Sequence, residues 1–595
     1  MKKLIATLNG IQDNTPFGTE VEGIDLVILK QKEKVNVFYG KCPHQQALLA
    51  EGQVEGGRLI CHMHGWQFDH ETGKRIAGNE CLHKFTPLID GTEVYLDQDE
   101  INQWKATHLP KESASKTKSI KSLPHPKGLP FLGNLHQFNF AQMHQDLELL
   151  SDELGPLFRI DLAGKEIVVS TSISFNQQLL KNRPKLIRRS KKLSDIINES
   201  GVEGVFTAEG DDWQKQRKVT ARALNIHHLK TFFPTLTLVT QRLKGQMDLM
   251  ISENRPIDIH ALSVRYTVDI TTNLAFGYDM NTIEETGDVI QAHMEVIFPT
   301  IFRRLNSPFP YWRYMKLPAD RSYEKSIQEV TKTINQFISQ AKQKLKANPE
   351  LRTSPGNFLE AMLVEQEAED KFTDKEILGN VFTMLLAGED TTANSIAWAM
   401  YFLGMHPEVQ EKLHLEAKQV LKEDHLLQNY EDAALLTYTE AVALETLRLK
   451  SVAPMLYLDT LEEIEIEGLI IPKGTTLITH NQHSALQSEN FTHPKDFVPE
   501  RWLPNGCPMH TQHNPEASIP FGAGSRFCPG RSLALLEIKV ILSMFCKNYH
   551  IELKSNPKEV KEQLEFTMLP TNLDVSFTLR KDIPIPETDK AKREK

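Results

Sequence analysis

Six cysteines in 595 residues are far too few to staple a small oxidised scaffold, so each must be read as core, ligand or nucleophile. No run reaches the ~18 apolar residues that a membrane-spanning helix needs, which argues against any integral membrane segment. The opening MKKLIATLNGIQDN has a basic tip but only about five apolar residues before Asn9 and Gly10, short of a secretory core. A basic surplus is lacking too: 68 Lys and Arg stand against 78 Asp and Glu, a net charge of -10. Without a positive field to hold a phosphate backbone, no nucleic-acid partner is expected. There is no internal repeat and no flavin or nicotinamide fingerprint. What remains, 40% hydrophobic and 25% charged residues, is ordinary globular material for more than one domain. Its expected setting is a reducing compartment, most simply the cytoplasm.

Up to about Gln103 the segments are short and end in turns, as in EVEGIDLVILK, EKVNVFYG and TEVYLDQDE, which predicts a small all-β module over residues 1–103. From Lys105 to Gly128 the chain is rich in Lys, Ser and Pro, and a flexible linker is expected over 104–122. Beyond it the pattern is mainly helical, with strand-like islands such as FRIDLAGKEIVVS, predicting one large α domain with a minor β region over 123–581. Residues 582–595 read as a disordered Lys-rich tail.

In the small domain Cys42-Pro-His44 is followed after sixteen residues by Cys61-His-Met-His64. Two thiolates and two imidazoles suit tetrahedral iron or zinc. Zinc fingers favour paired cysteines, whereas here each loop mixes one Cys with one His. With Gly65, Trp66, Phe68, Asp69 and Gly73 the segment CHMHGWQFDHETG resembles a Rieske two-iron two-sulfur (2Fe–2S) ferredoxin. The resemblance implies Cys42 and Cys61 on the buried iron and His44 and His64 on the outer one. His62 and Cys81 match no ligand position and read as a surface histidine and a small core residue. The extra cysteines of the respiratory branch are missing, which points to the ferredoxin branch and a potential near the low end of the roughly -150 to +300 mV Rieske range.

In the large domain Phe521-Gly-Ala-Gly524-Ser-Arg526-Phe-Cys528-Pro-Gly530 sets one cysteine among three glycines before a helical run. Backbone N–H groups and the helix N-terminus are expected to lower that thiol's pKa and favour a metal-binding thiolate. The segment resembles the haem-binding loop of cytochrome P-450, and the resemblance extends from about Leu123 to Lys581. It implies haem b, with Cys528 as iron ligand and Phe521, Gly524, Arg526 and Gly530 around it. Trp213-x-x-x-Arg217 is similar to the family's propionate-holding pair. Ala387-Gly-Glu-Asp390-Thr391-Thr resembles its oxygen-activating segment, where an acid beside a hydroxyl in a locally opened helix relays protons. Glu445-x-x-Arg448 and Pro499-Glu-Arg501-Trp resemble its buried ion-pair scaffold. Two departures stand out: no arginine follows Pro454 in Met-Leu-Tyr-Leu458, and Ala485-Leu-Gln-Ser488 replaces a commonly basic motif. Haem anchoring is therefore expected to lean on Trp213, Arg217 and Arg526.

Together these motifs predict a monooxygenase that uses O2 on a lipophilic substrate, its haem reduced by the fused cluster. A Rieske non-haem oxygenase would need a second iron on two His and a carboxylate, and no Asp/Glu-x-x-His-x-x-x-x-His stretch follows the cluster. A sensor or electron relay would have no need of the Asp390–Thr391 pair. With no flavin or nicotinamide site in the chain, an external flavin-containing NAD(P)H reductase is the expected partner. The apolar stretch Val296 to Trp312 fits a lipophilic substrate, a membrane contact or plain core.

Overall fold

The computed structural model describes residues 2–32, 34–43, 48–61, 66–76, 80–108, 118–285, 289–353, 355–367, 372–503 and 513–580. The N-terminal region is built from small antiparallel sheets. One has the order Lys2–Thr7, Glu93–Asp97, Leu88–Asp90; a second runs Phe17–Val21, Ile24–Gln31, Lys34–Tyr39, Lys84–Phe85; a third runs Gln53–Glu55, Arg58–Ile60, Gln67–Asp69. The strand Ile24–Gln31 is apolar on both faces, and the two-residue alternation of a strand divides its side chains between two cores. Leu26 and Ile28 pack with Val37, Phe85, Val94 and Leu96. Val27 and Leu29 pack on the other side with Phe38, Leu59 and Phe68.

Both ends of the stretch expected as a linker over 104–122 are folded against a domain. Gln98–His108 is a helix whose Ile101 and Trp104 are buried in the small domain, Trp104 tilted 4.8 Å from the Tyr39 ring. Lys118–Ser119 pairs in parallel with Leu469–Ile471, and Ile120 and Leu123 are buried in the large domain. Single apolar side chains bridge the polar text to each domain. Residues 109–117 and the tail from 581 lie outside the described residues.

The C-terminal region is mainly helical, with a five-stranded sheet that brings Ile187–Arg189 beside Met455–Thr460. At its centre runs the helix Asp374–Met405, started by a Thr373/Glu376 capping box and apolar on most of its circumference, as a core helix must be. It packs closely on Ile259–Phe276. Contact is possible because a Cβ on Gly388 would stand 2.5 Å from Thr271 Oγ1, a clash that only glycine avoids. No described helix is long and apolar enough to cross a membrane.

A buried carboxylate ties the helix Thr437–Leu449 to the segment that leads toward Cys528. Glu445 accepts from Arg448 Nε and Nη2 at 2.8 Å each, from Arg501 Nε, Trp502 Nε1 and Val498 N–H at 2.9 Å. Arg448 and Arg501 spend their other donors on the carbonyls of Ala485, Pro494, Thr492 and His493. Burial alone would raise the Glu445 pKa, but Arg448, Arg501 and the Val498 N–H hold it below the usual glutamate value. Glu445→Ala strands two guanidinium groups in a dry site and should cost about 3–5 kcal/mol, read as a lower denaturant midpoint. Because the folded pKa is depressed, this contribution is complete above the ordinary glutamate value and fades as pH falls through the folded one.

Candidate functional site

Two loops of the small domain carry the Cys-His pairs. The first is closed at its base by Leu49 N–H donating to Gly40 O at 2.7 Å, the second by Cys61 N–H donating to Trp66 O at 2.8 Å. Cys42 and Cys61 are buried thiols in one apolar cluster with Leu49, Leu59 and Phe68, and neither is in a disulfide. His44, His62 and His64 lie outside the described residues. Two buried sulfur donors on closed neighbouring loops suit an iron–sulfur cluster in donor type. Cys81, expected in the core, is exposed, since it pairs with Lys74 in an isolated bridge at the domain edge.

The Phe521–Gly530 loop is closed by Cys528 N–H donating to Phe521 O at 2.9 Å. Gly522 and Gly524 adopt φ of +73° and +71°, and a Cβ on Gly524 would stand 2.3 Å from Leu180 O. The expected lowering of the Cys528 pKa is reversed. Burial pushes the thiol up, and the Gly530 and Arg531 N–H groups with the charges of Arg217 and Arg531 only partly offset it. Ionisation of this sulfur therefore calls for a metal partner.

Trp213 and Arg217, expected to act as a pair, face different groups. The Arg526 guanidinium lies 4.7 Å over the Trp213 ring and its Nη2 donates to Glu209 Oε2 at 2.7 Å. Arg217 donates through Nη1 to Phe527 O at 2.9 Å and lies 4.7 Å over the Phe527 ring. Around Arg526 gather Arg183 and Arg189. Burial pushes Arg526 down to about 9 and Arg183 to about 10, with Glu209 opposing in both cases. Arg189 is driven well below its ordinary value by burial and by the charges of Arg183 and Arg526. Among the described residues, Nε and Nη2 of Arg183 and Nε of Arg526 have no hydrogen-bond partner. Such a surplus of buried positive charge calls for anions, and the two carboxylates of a haem fit in sign and number. Arg189 sits opposite Leu458 across the strand pair, which puts a basic residue beside the segment that lacks one after Pro454. Sequence reasoning missed Arg183 and Arg189, because their only signal was an Arg-Pro turn and a short Ile-Arg-Arg strand.

The central helix does not open at the acid–alcohol segment: it is continuous from Asp374 to Met405. Thr391 Oγ1 donates to Ala387 O at 2.8 Å and Thr267 Oγ1, from the neighbouring helix, to Glu389 O at 3.0 Å, so hydroxyls serve these carbonyls without breaking the ladder. Ala387 is exposed and Gly388, Asp390 and Thr391 half-buried in an otherwise buried stretch, so packing against the core is incomplete at this segment of the helix. Burial raises the Asp390 pKa, with Thr567, His260 and Asn394 acting against it and Glu565 with it.

The two candidate centres meet at one side chain. Phe527, next to Cys528, is buried in the small domain's cluster with Cys42, Leu49 and Cys61. Arg217 Nη2 stands 3.9 Å from Glu51 Oε2, and Lys185 pairs with Glu20. Arg531, pushed down by burial, is held up by Glu440, Cys528 and Cys61, which places it within electrostatic reach of both sulfurs.

Residues 123–577 match the family model described as Cytochrome P-450. The chain belongs to the cytochrome P-450 family. Residues 2–87 match the Rieske 2Fe–2S domain model. This cytochrome P-450 is 25% identical over 503 residues to cytochrome P-450 27C1 of Danio rerio, covering 79% of this chain and 89% of the relative. It is 26% identical over 469 residues to the mitochondrial sterol 26-hydroxylase of Homo sapiens, covering 76% and 87%. Haem and a 2Fe–2S cluster are its cofactors, and it is a monooxygenase with an iron–sulfur electron-transfer module. Gly524→Ala forces a Cβ into the Leu180 carbonyl at a left-handed φ and should cut haem content several-fold, read as pyridine haemochrome per chain, while the cluster's EPR signal is retained.

Proposed function

We propose that this cytochrome P-450 oxygenates a lipophilic substrate, drawing electrons from its own N-terminal domain, which is loaded by a separate flavin-containing NAD(P)H reductase. Haem bound through Cys528 would supply oxygen activation, and a cluster on Cys42, His44, Cys61 and His64 would supply it with single electrons. The observation that carries the reading is Phe527, whose ring enters the apolar cluster around Cys42 and Cys61 while its backbone continues directly into Cys528. Docking of this kind replaces a diffusional encounter by a fixed neighbourhood.

The chain's own residues divide the remaining work. Trp213 and Arg526, with Arg183 and Arg189 beside them, offer cationic and aromatic surroundings for the haem carboxylates. Phe521, Gly524 and Gly530 shape the backbone around the sulfur, and Arg217 holds the Phe527 carbonyl. Asp390, with its pKa raised by burial, holds a proton near neutrality more readily than an exposed aspartate, and Thr391 is the hydroxyl next to it. Support for a lipophilic substrate comes from Phe566, whose ring centroid lies 5.3 Å from Phe298 and 6.1 Å from Phe206. The named action of the human relative on a sterol fits that class. Of the stretch Val296 to Trp312, Ile297, Phe298, Ile301 and Trp312 belong to the main core, whereas Phe309 is exposed.

Two variants test the electron route. Glu51→Lys sets a second cation opposite Arg217 and should slow haem reduction by reductase and NAD(P)H more than about tenfold, leaving the dithionite-reduced CO spectrum and the cluster EPR intact. Glu20→Lys should slow it a few-fold at low salt, and the swap Glu20→Lys/Lys185→Glu should restore it, since an exposed pair is worth only about 0.2–1 kcal/mol. Unchanged reduction rates in Glu51→Lys would remove the N-terminal domain as donor.

A further inference from the structure

Both oxygens of the Asp390 carboxylate are engaged, and neither by Thr391. Oδ1 accepts from Asn394 Nδ2 at 3.0 Å and Oδ2 from the Thr567 hydroxyl. The same Asn394 amide nitrogen donates to Thr567 Oγ1 at 2.8 Å, and its Oδ1 faces His260 Nε2 at 2.7 Å. With Asp390 ionised, every donor in this set has an acceptor. The His260 Nε2–H serves Asn394 Oδ1, the two amide protons serve Asp390 and Thr567, and the Thr567 proton serves Asp390. Asn394 and Thr567 are buried. The hydroxyl of Thr391 meanwhile points at its own helix, bonded to Ala387 O.

Thr567 belongs to none of the motifs on the central helix. It stands at the tip of the hairpin formed by Lys561–Leu564 and Met568–Thr571, next to Phe566. That hairpin is anchored at its base, where Glu562 accepts from His144 Nε2 at 2.6 Å and from Gln145 Nε2 at 2.7 Å and pairs with Lys450. At its tip Met568 N–H donates to Val452 O at 2.9 Å. A hairpin fixed in this way holds a hydroxyl at a set place over the central helix.

We infer that Thr567 is a positioning residue for the proton-delivering acid: with Asn394 and His260 it clasps Asp390 and keeps it turned from Thr391 between deliveries. The inference rests on the proposed role of Asp390, and it adds that the acid must leave this clasp to act. Its neighbour Phe566 packs with Phe206 and Phe298, the aromatic group offered above in support of a lipophilic substrate. The titratable groups that act on Asp390 are His260 from the adjacent helix, which favours the carboxylate, and Glu565 from the hairpin, which disfavours it. The Thr567 hydrogen bond also favours the carboxylate, although burial outweighs it, so its removal lets burial raise the Asp390 pKa further.

The test uses the full-length holoprotein and a readout that needs no turnover. The carboxylic-acid C=O band of Asp390, identified by its loss in Asp390→Asn, is followed across pH by difference infrared spectroscopy. In Thr567→Val the band should persist about one to two pH units higher than in the parent, the equivalent of one hydrogen bond to a charged group. Thr567→Ser, which keeps the hydroxyl, should titrate like the parent. The limb of the pH–rate profile that follows Asp390 should shift upward in Thr567→Val alone. A parental titration in Thr567→Val overturns the clasp, and so does a Thr567→Ser variant that behaves like valine, since shape rather than the hydroxyl would then be responsible. If Asp390→Asn leaves the coupling of NAD(P)H to product unchanged, the role of the acid fails separately, while the infrared titration still decides the clasp.

Discussion

The bond from Cys528 N–H to Phe521 O closes a loop on which both halves of the molecule depend. Tight closure brings two adjacent residues to different neighbours: Cys528 stays with Phe521 in the large domain, and Phe527 enters the core of the small one. Arg217 holds the carbonyl between them, and Gly524 brings the loop against Leu180 where no side chain fits. Movement of this loop would therefore be felt at both candidate centres at once. Farther upstream, the Glu445 network pins residues 498–502 to a buried helix through two guanidinium groups.

Charge is distributed against the overall balance. The chain carries a net charge of -10, yet Arg183, Arg189 and Arg526 gather in one buried region around Glu209. Burial lowers the pKa of each of these arginines, which measures how poorly the protein alone solvates them. A fold that accepts this cost without a matching set of carboxylates is arranged for an anionic guest, and the haem of the family supplies two such groups. The same logic holds at Cys528, whose sulfur the surrounding N–H groups and cations do not ionise against burial.

Much of this was legible in the sequence because the informative residues act through spacing. The Cys-His pairs, the glycine-flanked cysteine and the Glu445–Arg448 pair lie close together in the chain; the structure places Cys42 and Cys61 in one cluster, and it buries Glu445 and Arg448, whose spacing alone fits a surface pair as well. What was not legible depends on contacts between distant segments. Trp104 reads as linker until Tyr39 and Phe85 are seen beside it. Arg189 reads as one of two arginines in a short strand until the strand pairs with Leu458. Thr567 stands 177 residues from Asp390, and no local pattern links them. The continuous central helix was misread for a different reason: an acid, a glycine and two threonines suggest an opened turn, but threonine hydroxyls bond to helix carbonyls without opening one.

The strand Ile24–Gln31 stands as a wall between two cores of the small domain. Its even positions, Leu26 and Ile28, are shut off from Cys42 and Cys61, whereas its odd positions, Val27 and Leu29, share their cluster. A substitution on the even side alters how firmly the domain holds together; one on the odd side does that and also alters the polarity and packing around the sulfur donors. Substitutions on either side cost core packing, but only those at odd-numbered positions also change the surroundings of the sulfur donors, so the parity of the residue number decides whether electron affinity is touched along with durability.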